Sequence, residues 1–180
     1  MTLLASVVPL PMLIVDVEGE AIIVGPTEGA TDHYRDVADA AYVEARKYTS
    51  DVVKVYSPNA TAGKVKAAVR NASIVVYLGH GNGWPSPYTF DPNYTTKNGF
   101  GLNYDFNGDG KTTDYENKYY GEPWIRDLEF APNAVVLLFH LCYASGNNEP
   151  GNGEPSLSTA RKRVDNYAAA FLKAGAKAVI

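Results

Sequence analysis

Short apolar runs alternate along the chain with stretches in which apolar residues recur every three or four positions. The runs fall at 21–24 (AIIV), 52–56 (VVKVY), 74–78 (IVVYL), 134–139 (AVVLLF) and 177–180 (KAVI). Each has the length of a buried strand. Between the first two, residues 31–47 place Tyr34, Val37, Ala38, Ala41, Tyr42 and Ala45 on one helical face, with Thr31 or Asp32 expected as the N-cap. Residues 61–71 repeat the pattern with Val65, Ala68 and Val69 inward. So does 158–174, with Tyr167, Ala170, Phe171 and Ala174, and Gly175 follows it as the expected C-cap.

The runs at 74–78 and 134–139 are almost continuously apolar, as a parallel strand covered on both faces must be. Their alternation with helices predicts an α/β fold, a three-layer α/β/α sandwich around a mostly parallel sheet with right-handed crossovers. Ligands bind such sheets beyond the carboxyl ends of the strands. Residues 79–83 and 141–146 both fall at that edge. Residues 82–132 break the alternation: they are crowded with Gly, Pro, Asn, Asp and Tyr, and 122–129 alone reads as a short helix. The expectation is one domain over 20–180 with a long insertion between the third and fourth strands, stabilised by something other than its own core. Residues 1–19 read as an N-terminal extension or linker, the remnant of an exported precursor. The apolar part is too short and proline-broken to span a bilayer, and it lacks the basic start of a signal peptide.

Composition narrows the partners. The 180 residues carry a net charge of −4 with no Lys/Arg-rich run, so the basic face that a nucleic acid requires is missing. The single cysteine, Cys142, excludes an internal disulfide and a multi-cysteine zinc site. It is left as a small buried hydrophobe or a reactive thiol.

Inside the insertion, DFNGDGKTTDYE (105–116) matches the twelve-residue calcium-loop pattern in full. Asp105, Asn107 and Asp109 offer oxygens at positions 1, 3 and 5, and Gly110 permits the sharp turn at position 6. Lys111 would contribute its carbonyl, Thr113 its hydroxyl or a held water, and Glu116 two oxygens at position 12. Thr112 stands where paired calcium hands place an aliphatic residue, so the loop is expected to act alone, holding structural Ca2+ that organises the insertion.

The second constellation pairs His80-Gly81, after the third strand, with Cys142, after the fourth. A thiol nucleophile needs a proton shuttle and amide donors for the oxyanion. Adjacent strands lie about 4.8 Å apart, close enough for groups at one edge to share a substrate. Glycine at 81 lets the backbone approach closely. YLGHGNG (77–83) and LLFHLCYASG (137–146) resemble the His-Gly and Cys blocks of the caspase-like cysteine peptidases, in particular gingipain-like, metacaspase-like and legumain-like members. The resemblance implies a caspase-like fold and endopeptidase cleavage through a thioester acyl-enzyme. It assigns His80 as general acid/base, Cys142 as nucleophile, and the amides of Gly81 and Cys142 as the oxyanion hole. A peptide or protein is then the substrate. Because the chain stops at its fifth strand, the resemblance also implies a fragment or short member with part of the specificity pocket missing.

Two other histidines need placing. His140, two residues before Cys142, is expected to be a satisfied core histidine continuing a buried strand, and His33 a surface residue. Asp91, Glu149 and Glu154 are carboxylates that could orient an imidazole or line a pocket, and their spacing selects none of them. The competing reading is a catalytically silent, calcium-stabilised extracellular binding module of the same fold. Thirteen tyrosines and two tryptophans would suit carbohydrate or peptide contact there. A serine hydrolase fails because Gly81 stands where the elbow needs Ser. Dinucleotide binding fails because Gly25–Gly29 lacks the required spacing. The calcium pattern and the lone thiol together lean towards an extracellular or cell-surface, bacterial protein.

Overall fold

In the computed structural model, residues 19–86 and 97–180 are described. The elements run β1 (Glu20–Val24), α1 (Thr31–Ala45), β2 (Val52–Tyr56), α2 (Ala62–Val69), β3 (Ile74–Leu78), β4 (Phe100–Asn103), β5 (Asn117–Tyr120), α3 (Glu122–Arg126), β6 (Val135–Phe139), α4 (Leu157–Lys173) and β7 (Ala178–Val179). Five strands form one sheet in the order β2-β1-β3-β6-β7. All four neighbouring pairs are parallel, so the fold is α/β around a parallel sheet.

Strand alternation assigns the faces. Ile22, Val24, Val76 and Leu78 point one way and pack on Ala38, with Tyr34, Ala41 and Tyr42 of α1 beside it. Ala21, Ile23, Val55, Val75, Tyr77 and Val136 point the other way. They meet Val65 and Val69 of α2, Ile125 of α3, and Tyr167, Ala170 and Phe171 of α4. Helices therefore cover both faces, and β1, held between β2 and β3, is buried at every position.

Local signals explain most boundaries. Ser156 caps α4 by accepting the Thr159 N–H at 3.2 Å. Gly175, at φ +105°, ends it, with the Ala176 N–H reaching back to the Phe171 carbonyl at 3.1 Å. Helix α1 departs from expectation. Its N-cap is Ala30, after a 3-10 turn over Glu28–Ala30. Thr31 is already helical, and its hydroxyl turns back to accept the Thr27 N–H at 3.0 Å. The strand expected at 177–180 is shorter by assignment. Even so, the Lys177 and Ile180 amides still bond to Ala134 and Val136 at 2.7 and 2.9 Å.

Residues 97–134 are more ordered than their composition suggests. Strands β4 and β5 pair antiparallel, Phe100 opposite Tyr120 and Asn103 opposite Asn117. Four residues each, with Gly and Asn inside β4, they carry little strand signal; the alternation of Phe100 and Leu102 is the one visible clue. Both of those side chains are fully buried. Phe100 stacks on Tyr77 at 4.2 Å and meets Phe171 at 5.3 Å between ring centroids, so the hairpin borrows the core of the main sheet.

Candidate active site

The β3–β6 pairing sets Leu78 opposite Phe139. His80 and Cys142 follow two and three residues later, at the carboxyl edge of neighbouring parallel strands. Both line one cavity of about 670 Å³, together with Tyr34, His140, Ser145, Glu149 and Glu154. Asp91 lies outside the described residues.

Gly81 packs directly on the cysteine loop. A Cβ there would sit 2.5 Å from the Cys142 carbonyl oxygen and 3.0 Å from its amide nitrogen, so only glycine permits this approach. Neither the Gly81 nor the Cys142 amide donates a hydrogen bond among the described residues. The Gly81 backbone and the Cys142 amide are thus close neighbours.

The histidine is fixed from behind by the hairpin. The Tyr77 hydroxyl donates to the Gly101 carbonyl at 2.7 Å, with the His80 carbonyl 3.0 Å away, and accepts the Gly101 N–H at 2.9 Å. The same N–H lies 3.2 Å from the His80 carbonyl. Burial keeps the Tyr77 phenol protonated at any ordinary pH. The latch ties the histidine turn to β4.

The cysteine loop has its own anchor, which the sequence did not flag. Arg163 of α4 is buried, and its Nε donates to the Pro85 carbonyl at 2.6 Å. Its Nη1 reaches the carbonyls of Gly146 and Asn147 and the Asn148 side chain at 3.2, 2.6 and 2.6 Å. The guanidinium also sits 4.7 Å over the Tyr143 ring. One side chain thereby joins the segment after His80 to the segment after Cys142. An arginine at a buried helix position was the available signal; surface arginines share the same spacing, so sequence could not single it out.

His140 is not a core residue. It has φ +58°, is exposed, and stacks on Tyr34 with centroids 5.1 Å apart, edge-on to His33 at 6.4 Å. The left-handed backbone ends the strand at Phe139, so the period-2 rule does not carry from His140 to Cys142. The turn throws the imidazole onto α1. His33 is exposed, as expected.

Electrostatics leave the dyad uncharged. Burial lowers the His80 imidazole below its ordinary 6.5, opposed by the charges of Glu28 and Glu149. Burial raises the Cys142 thiol above its ordinary 9.0, and Glu149 adds to the rise. At neutral pH the resting pair is thiol and imidazole, not thiolate and imidazolium.

The loop 105–116 is folded on its own amides. Asp105 accepts from Gly108 and Gly110, both at 2.7 Å, which holds its carboxyl below the ordinary range. Asn107 and Asp109 accept from residues two further on, at 3.0 and 2.8 Å, and Glu116 accepts the Thr113 N–H at 2.8 Å. Among the described residues, no three His, Cys, Asp or Glu side chains gather as a metal cluster. The far half of the loop is moored to the main domain. The Asp114 carboxylate accepts from Arg35 at 2.6 Å and from the Ser57 hydroxyl at 2.7 Å, and the Asp114 carbonyl accepts the Glu28 N–H at 2.9 Å.

No described helix is long and apolar enough to cross a membrane. Comparison of the chain with family models, with curated proteins and with solved structures returns no match.

Proposed function

We propose that the protein is a caspase-like cysteine endopeptidase working through His80 and Cys142. The observation that carries this reading is the shared cavity. A thiol and an imidazole follow adjacent parallel strands, and the Gly81 backbone is packed against the cysteine. A neutral pair suits attack by proton transfer. His80 takes the thiol proton as Cys142 Sγ bonds to the scissile carbonyl carbon, and the Gly81 and Cys142 amides hold the oxyanion. Collapse expels the amine, which receives that proton from His80. Water, deprotonated by the same imidazole, then hydrolyses the thioester. Screening a peptide library against the wild type and Cys142→Ala, with and without calcium, tests the reading. Cleavage that survives in Cys142→Ala, or no cleavage at all, would sink it.

The neutral thiol also gives weight to the silent binding module. Iodoacetamide separates the two. Labelling of Cys142 at neutral pH that slows in His80→Ala marks a working dyad; equal rates in both proteins mark an inert thiol.

The loop donors are hard oxygens of the kind calcium takes: three carboxylates, the Asn107 amide, the Thr113 hydroxyl and the Lys111 carbonyl. We read the loop as a structural Ca2+ site that steadies the hairpin, in keeping with an extracellular or cell-surface setting. A thermal melt unchanged by millimolar calcium, or changed equally in Asp105→Asn, would remove it.

A further inference from the structure

The hairpin does more than brace the histidine backbone. Asn117 of β5 carries a buried side-chain carbonyl oxygen with no hydrogen-bond partner among the described residues. Buried acceptors are almost always paired, so an orphan at a candidate site calls for an account. Its position supplies one. A Cβ built on Gly101 would lie 2.4 Å from Asn117 Oδ1 and 3.0 Å from His80 Cβ. The two side chains therefore flank the same small volume, kept open because residue 101 is glycine. The imidazole Nδ1 is two bonds beyond Cβ, within reach of that oxygen by rotation about the side-chain torsions. The His80 ring makes no hydrogen bond among the described residues, so it has the missing donor and Asn117 the missing acceptor.

We propose that Asn117 is the positioning residue of the dyad: its Oδ1 accepts the imidazole N–H of His80 and thereby turns the other ring nitrogen towards Cys142. The proposal rests on His80 being the proton shuttle of the site described above. It gives the hairpin a chemical role, since β4 brings the glycine that leaves room and β5 brings the amide. Asn117 is favoured over the other groups around His80 because its oxygen is buried and unpartnered among the described residues. The Tyr77 hydroxyl is committed to Gly101 and the His80 backbone. Glu28 and Glu149 act on the ring by charge, with no hydrogen bond to it, and the Cys142 thiol is the group to be served.

The test begins with the resting protein, where no substrate is needed. Long-range proton–nitrogen spectra of ¹⁵N-labelled protein report the His80 tautomer, with His33 and His140 as internal references. A single neutral tautomer is expected in the wild type, a mixture in Asn117→Ala, and an upward shift of the His80 titration in Asn117→Asp. Activity follows if the peptidase reading holds. Asn117→Ala should lower kcat about 10-fold or more, a share of the roughly 10²–10⁴ that a positioned acid–base contributes, with KM little changed. In Asn117→Asp the acid limb of the pH profile should move upward. Identical His80 tautomers and titrations in all three proteins overturn the proposal. If the spectra respond but no peptide is cleaved, the peptidase reading fails and the positioning contact stands.

Discussion

Arg163→Lys isolates the clamp between the segment after His80 and the segment after Cys142. A lysine keeps the charge but is a single point donor on a flexible stem. It cannot reach Pro85 on one side and Gly146, Asn147 and Asn148 on the other as the guanidinium fork does. Arg163 makes four contacts, three of them at 2.6 Å, and its side chain is 4% exposed. Losing two charge-assisted bonds costs about 3–6 kcal/mol after the lysine recovers the rest. For a chain of this length that is a fall in Tm of roughly 6–24 °C. The loss should be uneven. Amide hydrogen exchange should accelerate over 80–85 and 143–149 well before β1 or α1 responds. Differential scanning calorimetry gives the first quantity and exchange mass spectrometry the second. An unchanged Tm would refute the clamp; so would a loss of protection spread evenly over the sheet.

Three further outcomes follow from the same geometry. Stability should be flat between pH 6.5 and 9.0 as far as the dyad is concerned. The His80 contribution is present above 6.5 and lost as pH falls through its lower folded value; the Cys142 contribution is present below 9.0 and lost as pH rises through its higher folded value. Urea titrations across pH should show the acid slope reduced in His80→Gln and the alkaline slope reduced in Cys142→Ser. Gly81→Ala must push a Cβ into the Cys142 backbone. The expected cost is about 1–3 kcal/mol, with a changed iodoacetamide rate at Cys142, and wild-type values in both assays would argue against the close packing. Asp114→Asn should cost about 1–3 kcal/mol by weakening its bonds to Arg35 and Ser57. A double-mutant cycle with Arg35→Met should show coupling between the two partly exposed side chains; strict additivity would mean the ion pair contributes nothing.

The five sheet strands were legible because each is an apolar run flanked by turn residues, and the helices because their apolar spacing is regular. The edge that gathers His80 and Cys142 followed from parallel topology alone. What stayed hidden has physical reasons. Strands β4 and β5 are short and owe their order to Phe100 docking on Tyr77 and Phe171, a tertiary contact without local trace. The fate of His140 turned on one positive φ, which no pattern of hydrophobicity encodes. Arg163 and Asn117 look like any polar residue on a helix or a loop. Their roles exist once two distant segments have come together, the arginine below the segments and the asparagine beside the histidine.

The parallel pairing of β3 with β6 also has a kinetic meaning. The two strands are separated by about sixty residues, so their contact closes a long loop before any of its reward is collected. β1, β2 and β3 with α1 and α2 can assemble from contacts much nearer in sequence. Cys142 should thus remain accessible during refolding until the β6 half docks, and pulse labelling of the thiol would time that event. On this order the turn that carries His80 would form first, and Cys142 would join it last.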